Sequence, residues 1–137
     1  MKSSAQKGKD FQNFCATLLL ELFPDSVCHN QVPVAKAIPI KDPKTGKIEV
    51  RWVSHRNDIF GCVDIIWMRP KQIAWIQCTM DTNLKKKIKD LSAVPWPPQE
   101  TVELWVKRGP GKVDIYRYWE GGLVMTAKIA GRKIFYA

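Results

Sequence analysis

The sequence predicts a protein of mixed helix and sheet, in the α/β or α+β class, with helices on the faces of a mixed central sheet. Three observations lead to this class. An apolar stripe repeats at the helical period near the N-terminus, several short runs rich in Val, Ile and Trp are separated by Pro and Gly, and a second helical pattern, rich in lysine, interrupts those runs. The length of 137 residues fits a single domain over residues 1–137.

The N-terminal segment predicts a helix from about Ala5 to Phe23. Ser3 or Ser4 can cap its start, and Pro24 stops it. Its apolar positions fall on one face: Phe11, Phe14, Cys15, Leu18, Leu19 and Leu22.

Extended segments follow the helix. Residues Ser26–Val34 are rich in Val and contain Pro33, which suits an edge strand. Two further stretches, Ala37–Ile40 and Lys47–Val53, flank the turn formers of Lys41–Gly46 and predict a hairpin arm.

The next part of the chain predicts the centre of the sheet. After a polar loop at Ser54–Asp58, the segment Phe60–Met68 is apolar on both faces and predicts a central strand. A tight turn at Arg69–Lys71 leads into the strand Gln72–Thr79.

The last third predicts a short helix and more strands. The helix covers about Thr82–Ser92, and the prolines that follow end it. Strands are expected at Glu100–Lys107 and Lys112–Trp119, with one or two more in the tail Leu123–Ala137. Among the six tryptophans, Trp96 stands between prolines and is expected to be exposed at a dimer or DNA surface, whereas the others are expected in the core.

Composition narrows the function classes. The chain has 22 Lys+Arg against 13 Asp+Glu, a net charge of +9, which indicates a polyanionic partner. No apolar run reaches the ~20 residues of a membrane span, and the N-terminus lacks the apolar region of a secretory signal, so we expect a cytoplasmic protein with no membrane partner. Four cysteines without a CxxC pair give no support to a zinc ribbon and predict reduced core residues.

Asp64 and Gln77 are the residues most indicative of chemistry. Asp64 is a charged residue early in an otherwise apolar strand, and a buried carboxylate is costly unless it is paired or bound to a metal. Because side chains alternate along a strand, Trp75, Gln77 and Thr79 share one face. A hairpin that holds Asp64 beside Gln77 would offer two oxygen ligands of the kind that Mg²⁺ or Mn²⁺ prefers.

These residues resemble the PD-(D/E)XK nuclease superfamily, in the variant with an aspartate on one strand and (E/Q)-x-K on the next. The helix that opens with Lys7-Gly-Lys-Asp-Phe11 is similar to that of archaeal and phage Holliday-junction-resolvase-like endonucleases. The resemblance covers roughly residues 7–106. It implies a restriction-endonuclease-like αβββαβ core with extra C-terminal strands, and a homodimer that cuts branched or duplex DNA with Mg²⁺ or Mn²⁺ and no small-molecule cofactor.

The resemblance also implies roles for individual residues. Asp64 matches the metal-binding aspartate, and Gln77 matches the second ligand, usually Glu. Gln12 lies near the place of a helix glutamate. Thr79 occupies the place of the motif lysine, which normally helps orient the attacking water and stabilises charge on the phosphate.

Several residues are candidates to complete the site. Lys85, Lys86 or Lys89 of the second helix could replace the lysine, and Asp58 or Asp81 could add a metal ligand. Alternatively nothing replaces them, and the chain is a catalytically degenerate DNA-binding or interaction module. The residues expected to hold nucleic acid are Lys7, Lys9, Arg56, Lys86, Lys89, Lys107 and Arg108. The segment Lys107–Gly111 has the composition of a phosphate-binding loop, but an ordinary basic hairpin turn is the favoured interpretation.

Overall fold

The computed structural model describes residues 3–30, 34–55, 59–60, 62–80 and 84–137. Within these ranges the chain forms a mixed α/β structure of two helices and nine strands. In order these are α1 (Ser4–Leu22), β1 (Val27–Asn30), β2 (Val34–Lys41), β3 (Ile48–His55), β4 (Ile65–Arg69), β5 (Gln72–Thr79), α2 (Leu84–Ser92), β6 (Thr101–Gly109), β7 (Lys112–Trp119), β8 (Gly122–Ala130) and β9 (Lys133–Tyr136).

Helix α1 begins and ends within one residue of the predicted bounds, Ala5 and Phe23. The Ser3 hydroxyl accepts a hydrogen bond from the Gln6 backbone N–H at 3.2 Å, which caps the start. The predicted apolar face is the face that packs on the sheet, and Cys15, Leu18 and Leu19 are fully buried. This agreement follows from the regular 3.6-residue period of the stripe.

The main sheet has seven strands in the order β1-β4-β5-β6-β7-β8-β9. All neighbours are antiparallel except β5 and β6, which run parallel because α2 carries the chain back between them. The predicted edge strand β1 does lie at an edge, and β4 lies between two strands as expected. One or two strands were expected in the C-terminal tail, and the structure has two, β8 and β9.

Two apolar clusters cover the sheet. The larger joins α1 to the sheet and includes Trp67 and Trp105, together with Ile129 near the C-terminus. The smaller lies on the α2 side and is centred on Val63, Leu91 and Val102. The sheet curls enough for residues at both ends of the chain to share the first cluster.

The predicted strand Phe60–Met68 is wrong in its first half, since β4 begins only at Ile65. The Val63 N–H instead donates to the Ile59 carbonyl at 2.9 Å, and Phe60 takes a left-handed backbone with φ of 55°. An apolar composition suggested a strand here, but this local hydrogen-bonded turn prevails over the propensity.

Other differences are small or concern single side chains. Strand β3 extends to His55, into the predicted loop Ser54–Asp58. The expectation for Trp96 is wrong: it is half-buried, and its indole N–H donates to the Leu91 carbonyl at 3.0 Å. Trp119, which was expected in the core, is instead exposed, with 47% of its surface accessible. Neither helix, over the part of the chain that is described, is long and apolar enough to cross a membrane.

Candidate metal and nucleic-acid site

Asp64 is fixed to the neighbouring strand by two hydrogen bonds. Its backbone N–H donates to the Ile76 carbonyl at 2.9 Å, and its Oδ2 accepts from the Cys78 backbone N–H at 2.8 Å. Only 6% of Asp64 is accessible to solvent. The carboxylate is therefore held in one place directly before β4, against β5.

Gln77 lies next to Asp64 across the hairpin. The register pairs Ile65 with Ile76, so the following positions outward are Asp64 and Gln77. Gln77 is also 6% exposed, and its buried Oε1 has no hydrogen-bond partner among the described residues. An unsatisfied buried acceptor costs about 1–3 kcal/mol, which is the cost that a bound cation or water would remove.

Thr79 lies two residues further along β5, on the face of Gln77. It is buried to the same extent, and its parallel neighbour on β6 is Val106. The alternation of β5 predicted from the sequence is thus observed. The position where the resemblance would place a lysine thus carries a short hydroxyl side chain with no charge.

The polar residues beside Asp64 on the α1 side form a small network. Gln12 is 4% exposed, and its Nε2 donates to Asn30 Oδ1 at 2.6 Å and to the Asp64 backbone carbonyl at 3.4 Å. Asn30 in turn donates to Asn13 Oδ1 at 2.8 Å. The sequence pointed to Gln12 but missed Asn13 and Asn30. No periodic pattern in the sequence indicates these two residues; in the structure Asn30 ends β1 opposite Ile65.

Cys78 places a thiol group next to Asp64. Its pKa is raised well above the usual value by a hydrogen bond with Cys15, by burial and by the charge of Asp64. All four cysteines are free thiols, as predicted, but only Cys15 and Cys62 are buried in the core, whereas Cys28 and Cys78 are half-buried. Cys78 therefore stays neutral.

Three residues of the predicted site lie outside the described residues: Asp58 and Asp81, which are candidate metal ligands, and Arg56, which is expected to hold nucleic acid. The described ranges contain no group of three or more His, Cys, Asp or Glu side chains that could hold a metal. The predicted carboxylate partners of Asp64 thus remain predictions. Lys85, Lys86 and Lys89 are exposed on α2, and the replacement of the motif lysine by Lys85 also stays a prediction.

The parallel pair of strands gathers the basic and polar residues at one end of the sheet. Gln77 and Thr79 are near the C-terminal end of β5, and Lys107 is near the C-terminal end of β6. Asp64, directly before antiparallel β4, lies at the same end. Open α/β sheets bind ligands at this type of strand end.

Helix α1 adds to this end of the molecule. A cavity of about 200 Å³ lies between α1 and the β6–β7 turn, with Phe11, Phe14, Lys107 and Lys112 among its lining residues. Lys7 is exposed and Lys9 half-buried in the first turns of α1. Lys107 and Lys112 therefore lie beside Phe11 and Phe14 of α1, at the turn that follows β6.

Arg108 differs from its neighbour Lys107. Its guanidinium donates to Asp114 Oδ2 at 2.8 Å and to the Tyr116 hydroxyl at 3.0 Å. The segment Lys107–Gly111 forms the predicted hairpin turn between β6 and β7. Part of the charge of Arg108 is thus neutralised within the protein, which leaves Lys107 as the more available cation.

An aromatic cluster lies on the face of Gln77. The rings of Phe60, Trp75 and Trp96 contact one another, with centroids 5.8–5.9 Å apart. Phe60 is 64% exposed and lies four residues before Asp64. Beside Trp96 and Trp119 opens a cleft of about 400 Å³ with Glu100 and Glu120 among its lining residues.

No protein-family model, no curated protein and no solved structure matches the chain. The chemistry of the site therefore rests on the geometry described above.

Proposed function

We propose that this chain is a metal-dependent endonuclease of the PD-(D/E)XK type that hydrolyses phosphodiester bonds in duplex or branched DNA. The observation that carries the proposal is the pair of buried oxygen donors at one sheet end. The carboxylate of Asp64 is fixed by the Cys78 N–H, and the neighbouring Gln77 Oε1 is buried without a partner among the described residues.

The order of the elements supports the same proposal. With the β2–β3 hairpin set aside, the chain forms a helix, three strands, a helix and a strand, in the order α1, β1, β4, β5, α2 and β6. That is the order of the αβββαβ core expected from the resemblance. The antiparallel β4–β5 hairpin also brings Asp64 beside Gln77, two residues before Thr79.

The donor set fits Mg²⁺ or Mn²⁺. Asp64 and Gln77 would hold the ion, because both offer oxygen atoms and their backbones are fixed in strand pairing. A divalent ion supplies stabilisation of the negative charge that develops on a phosphate during hydrolysis. Lys107, Lys7 and Lys9 would hold the DNA backbone in place, since phosphate contacts position a duplex without reading its bases.

Thr79 favours a second candidate function, a DNA-binding module without catalytic activity. A buried hydroxyl cannot supply the positive charge of the motif lysine. If no lysine of α2 takes its place, the site retains metal and DNA binding but lacks the group that stabilises the transition state.

The decisive experiment measures metal binding and DNA cleavage with the same proteins. Calorimetric titration with Mn²⁺ follows binding, and a radiolabelled four-way junction and its linear duplex follow cleavage. The variant Asp64→Asn keeps an acceptor for the Cys78 N–H but loses the charge. We expect it to bind Mn²⁺ at least ~10-fold more weakly, as loss of a charged ligand predicts, and to lose cleavage. The exposed Asp25→Asn is the matched control and retains both.

The outcomes separate the two functions. Cleavage that depends on Mn²⁺ and on Asp64 supports the endonuclease. Binding of DNA and Mn²⁺ by the wild type without any cleavage supports the binding module. Equal Mn²⁺ affinity in the wild type and Asp64→Asn would refute the metal site, as would cleavage that survives the substitution.

A further inference from the structure

The β2–β3 hairpin forms a sheet of its own, apart from the seven-stranded sheet. Its two strands pair along their full lengths, from Val34 opposite His55 to Lys41 opposite Ile48. A two-stranded hairpin is marginally stable alone in water. A partner that packs against this arm, residues 34–55, would therefore stabilise it.

The charge of the arm indicates an anionic partner. Its sequence holds five basic residues, Lys36, Lys41, Lys44, Lys47 and Arg51, against two acidic residues, Asp42 and Glu49. Three of the lysines, Lys41, Lys44 and Lys47, are exposed at or beside the tip. The arm thus presents a concentrated positive charge at its end.

The acidic residue of the tip, Asp42, forms hydrogen bonds with the backbone of the turn. The Asp42 carboxylate accepts from the Lys44 N–H at 2.9 Å, and the Asp42 carbonyl accepts from the Gly46 N–H at 2.9 Å. The Asp42 N–H donates to the Lys47 carbonyl at 2.8 Å, which closes the turn. Asp42 therefore organises the tip, and the lysine side chains extend from a defined turn.

Apolar side chains lie next to these lysines. Ile48 and Val50 are 68% and 60% exposed and share a face of β3, opposite Lys41 and Pro39 on β2. The major groove of DNA offers phosphates on its walls and thymine methyl groups on its floor. It is about 12 Å wide and admits a two-stranded β-ribbon.

We infer that the arm enters the major groove of duplex DNA, with Lys41, Lys44 and Lys47 on the phosphates and Ile48 and Val50 toward the base edges. This inference rests on the proposed function, because it takes DNA as the ligand of the chain. It adds a groove-binding element that is separate from Asp64 and Gln77.

The first test measures the salt dependence of DNA binding. The combined variant Lys41→Gln, Lys44→Gln and Lys47→Gln is compared with a matched triple variant of exposed lysines outside the arm, Lys71→Gln, Lys128→Gln and Lys133→Gln. Binding to a linear duplex is measured in Ca²⁺ at several salt concentrations. Each lost phosphate contact lowers the slope of log K against log salt by about 0.9, so we expect a loss of about 2.7 for the arm variant. The control triple should change the slope less.

The second test identifies the groove. Dimethyl sulfate methylates guanine N7 in the major groove, and wild-type protein should protect guanines that the arm variant leaves reactive. Equal slopes for the two triple variants, or unchanged N7 protection, would overturn the inference.

A third comparison separates this inference from the proposed function and from dimerisation. Asp64→Asn should still protect guanine N7, so a failed metal site leaves the arm result intact. The pair Ile48→Ser and Val50→Ser should weaken N7 protection without changing the sedimentation coefficient. A change of oligomeric state with normal DNA protection would assign this face to a contact between copies and would overturn DNA as its occupant.

Discussion

Glu103 provides the clearest pH dependence at the scale of a single residue. It lies half-buried in β6, where its Oε1 accepts from the Trp105 indole N–H at 3.1 Å. Burial raises its pKa above 4.5, and the hydrogen bond and the charges of Arg69 and Arg117 oppose the rise without cancelling it. Between pH 4.5 and the raised pKa, the folded chain holds a proton that the unfolded chain has lost. The free energy of unfolding therefore falls as pH rises through this window.

We accordingly expect Glu103→Gln to be more stable than the wild type at neutral pH, because the amide is never ionised and its oxygen can still accept from Trp105. Below pH 4.5 the two proteins should converge. Urea unfolding midpoints across this range test the prediction, with the exposed Glu49→Gln as control. A lower midpoint for Glu103→Gln at neutral pH would contradict it.

The same scale shows how far the sequence predicts the site. Strand alternation predicted that Gln77 and Thr79 share a face. That Asp64 lies beside Gln77 was a hypothesis about the hairpin, and the register of β4 and β5 agrees with it. Alternation could not predict the link from Gln12 to Asn30, because that hydrogen bond depends on how α1 lies across β1. Such contacts between distant elements leave no periodic pattern in either segment.

Helix α1 carries a test at the scale of an element. Leu18 is fully buried, whereas Leu20, two residues on in the same helix, is 44% exposed. Leu18→Ala leaves a cavity between the helix and the sheet and should lower the free energy of unfolding by about 2–5 kcal/mol. Leu20→Ala should cost about 0.5 kcal/mol or less, as expected for a surface position. Chemical denaturation measures both, and equal losses would contradict the assignment of the buried face.

The elements themselves were predictable where one physical cue dominated. A cap and a proline defined the ends of α1, and Gly46 with its neighbours defined the arm, where φ of Gly46 is 71°. The segment before β4 was not predictable, because apolar residues at Ile59 and Val63 close a local turn instead of continuing a strand. Composition alone does not distinguish these two outcomes.

At the scale of the whole molecule, the first and last elements share one core. Ile129 of β8 is 1% exposed and belongs to the same apolar cluster as Phe11 and Leu18 of α1. Arg132, in the β8–β9 turn, also donates to Glu21 Oε1 at 2.7 Å. The sequence suggested only that strands follow residue 123, since the closure of the sheet onto α1 depends on its accumulated curl.

This arrangement predicts that the C-terminal strands unfold together with the rest of the chain. Ile129→Ala should lower the free energy of unfolding by about 2–5 kcal/mol, whereas Val124→Ala on the exposed face of the same strand should cost about 0.5 kcal/mol or less. Far-UV circular dichroism and tryptophan fluorescence should report one coincident transition in both variants. The reason is that Ile129 belongs to the same apolar cluster as Trp67 and Trp105. If Ile129→Ala instead separates the two transitions, β8 and β9 unfold independently, and the core around α1 does not depend on the C-terminal strands.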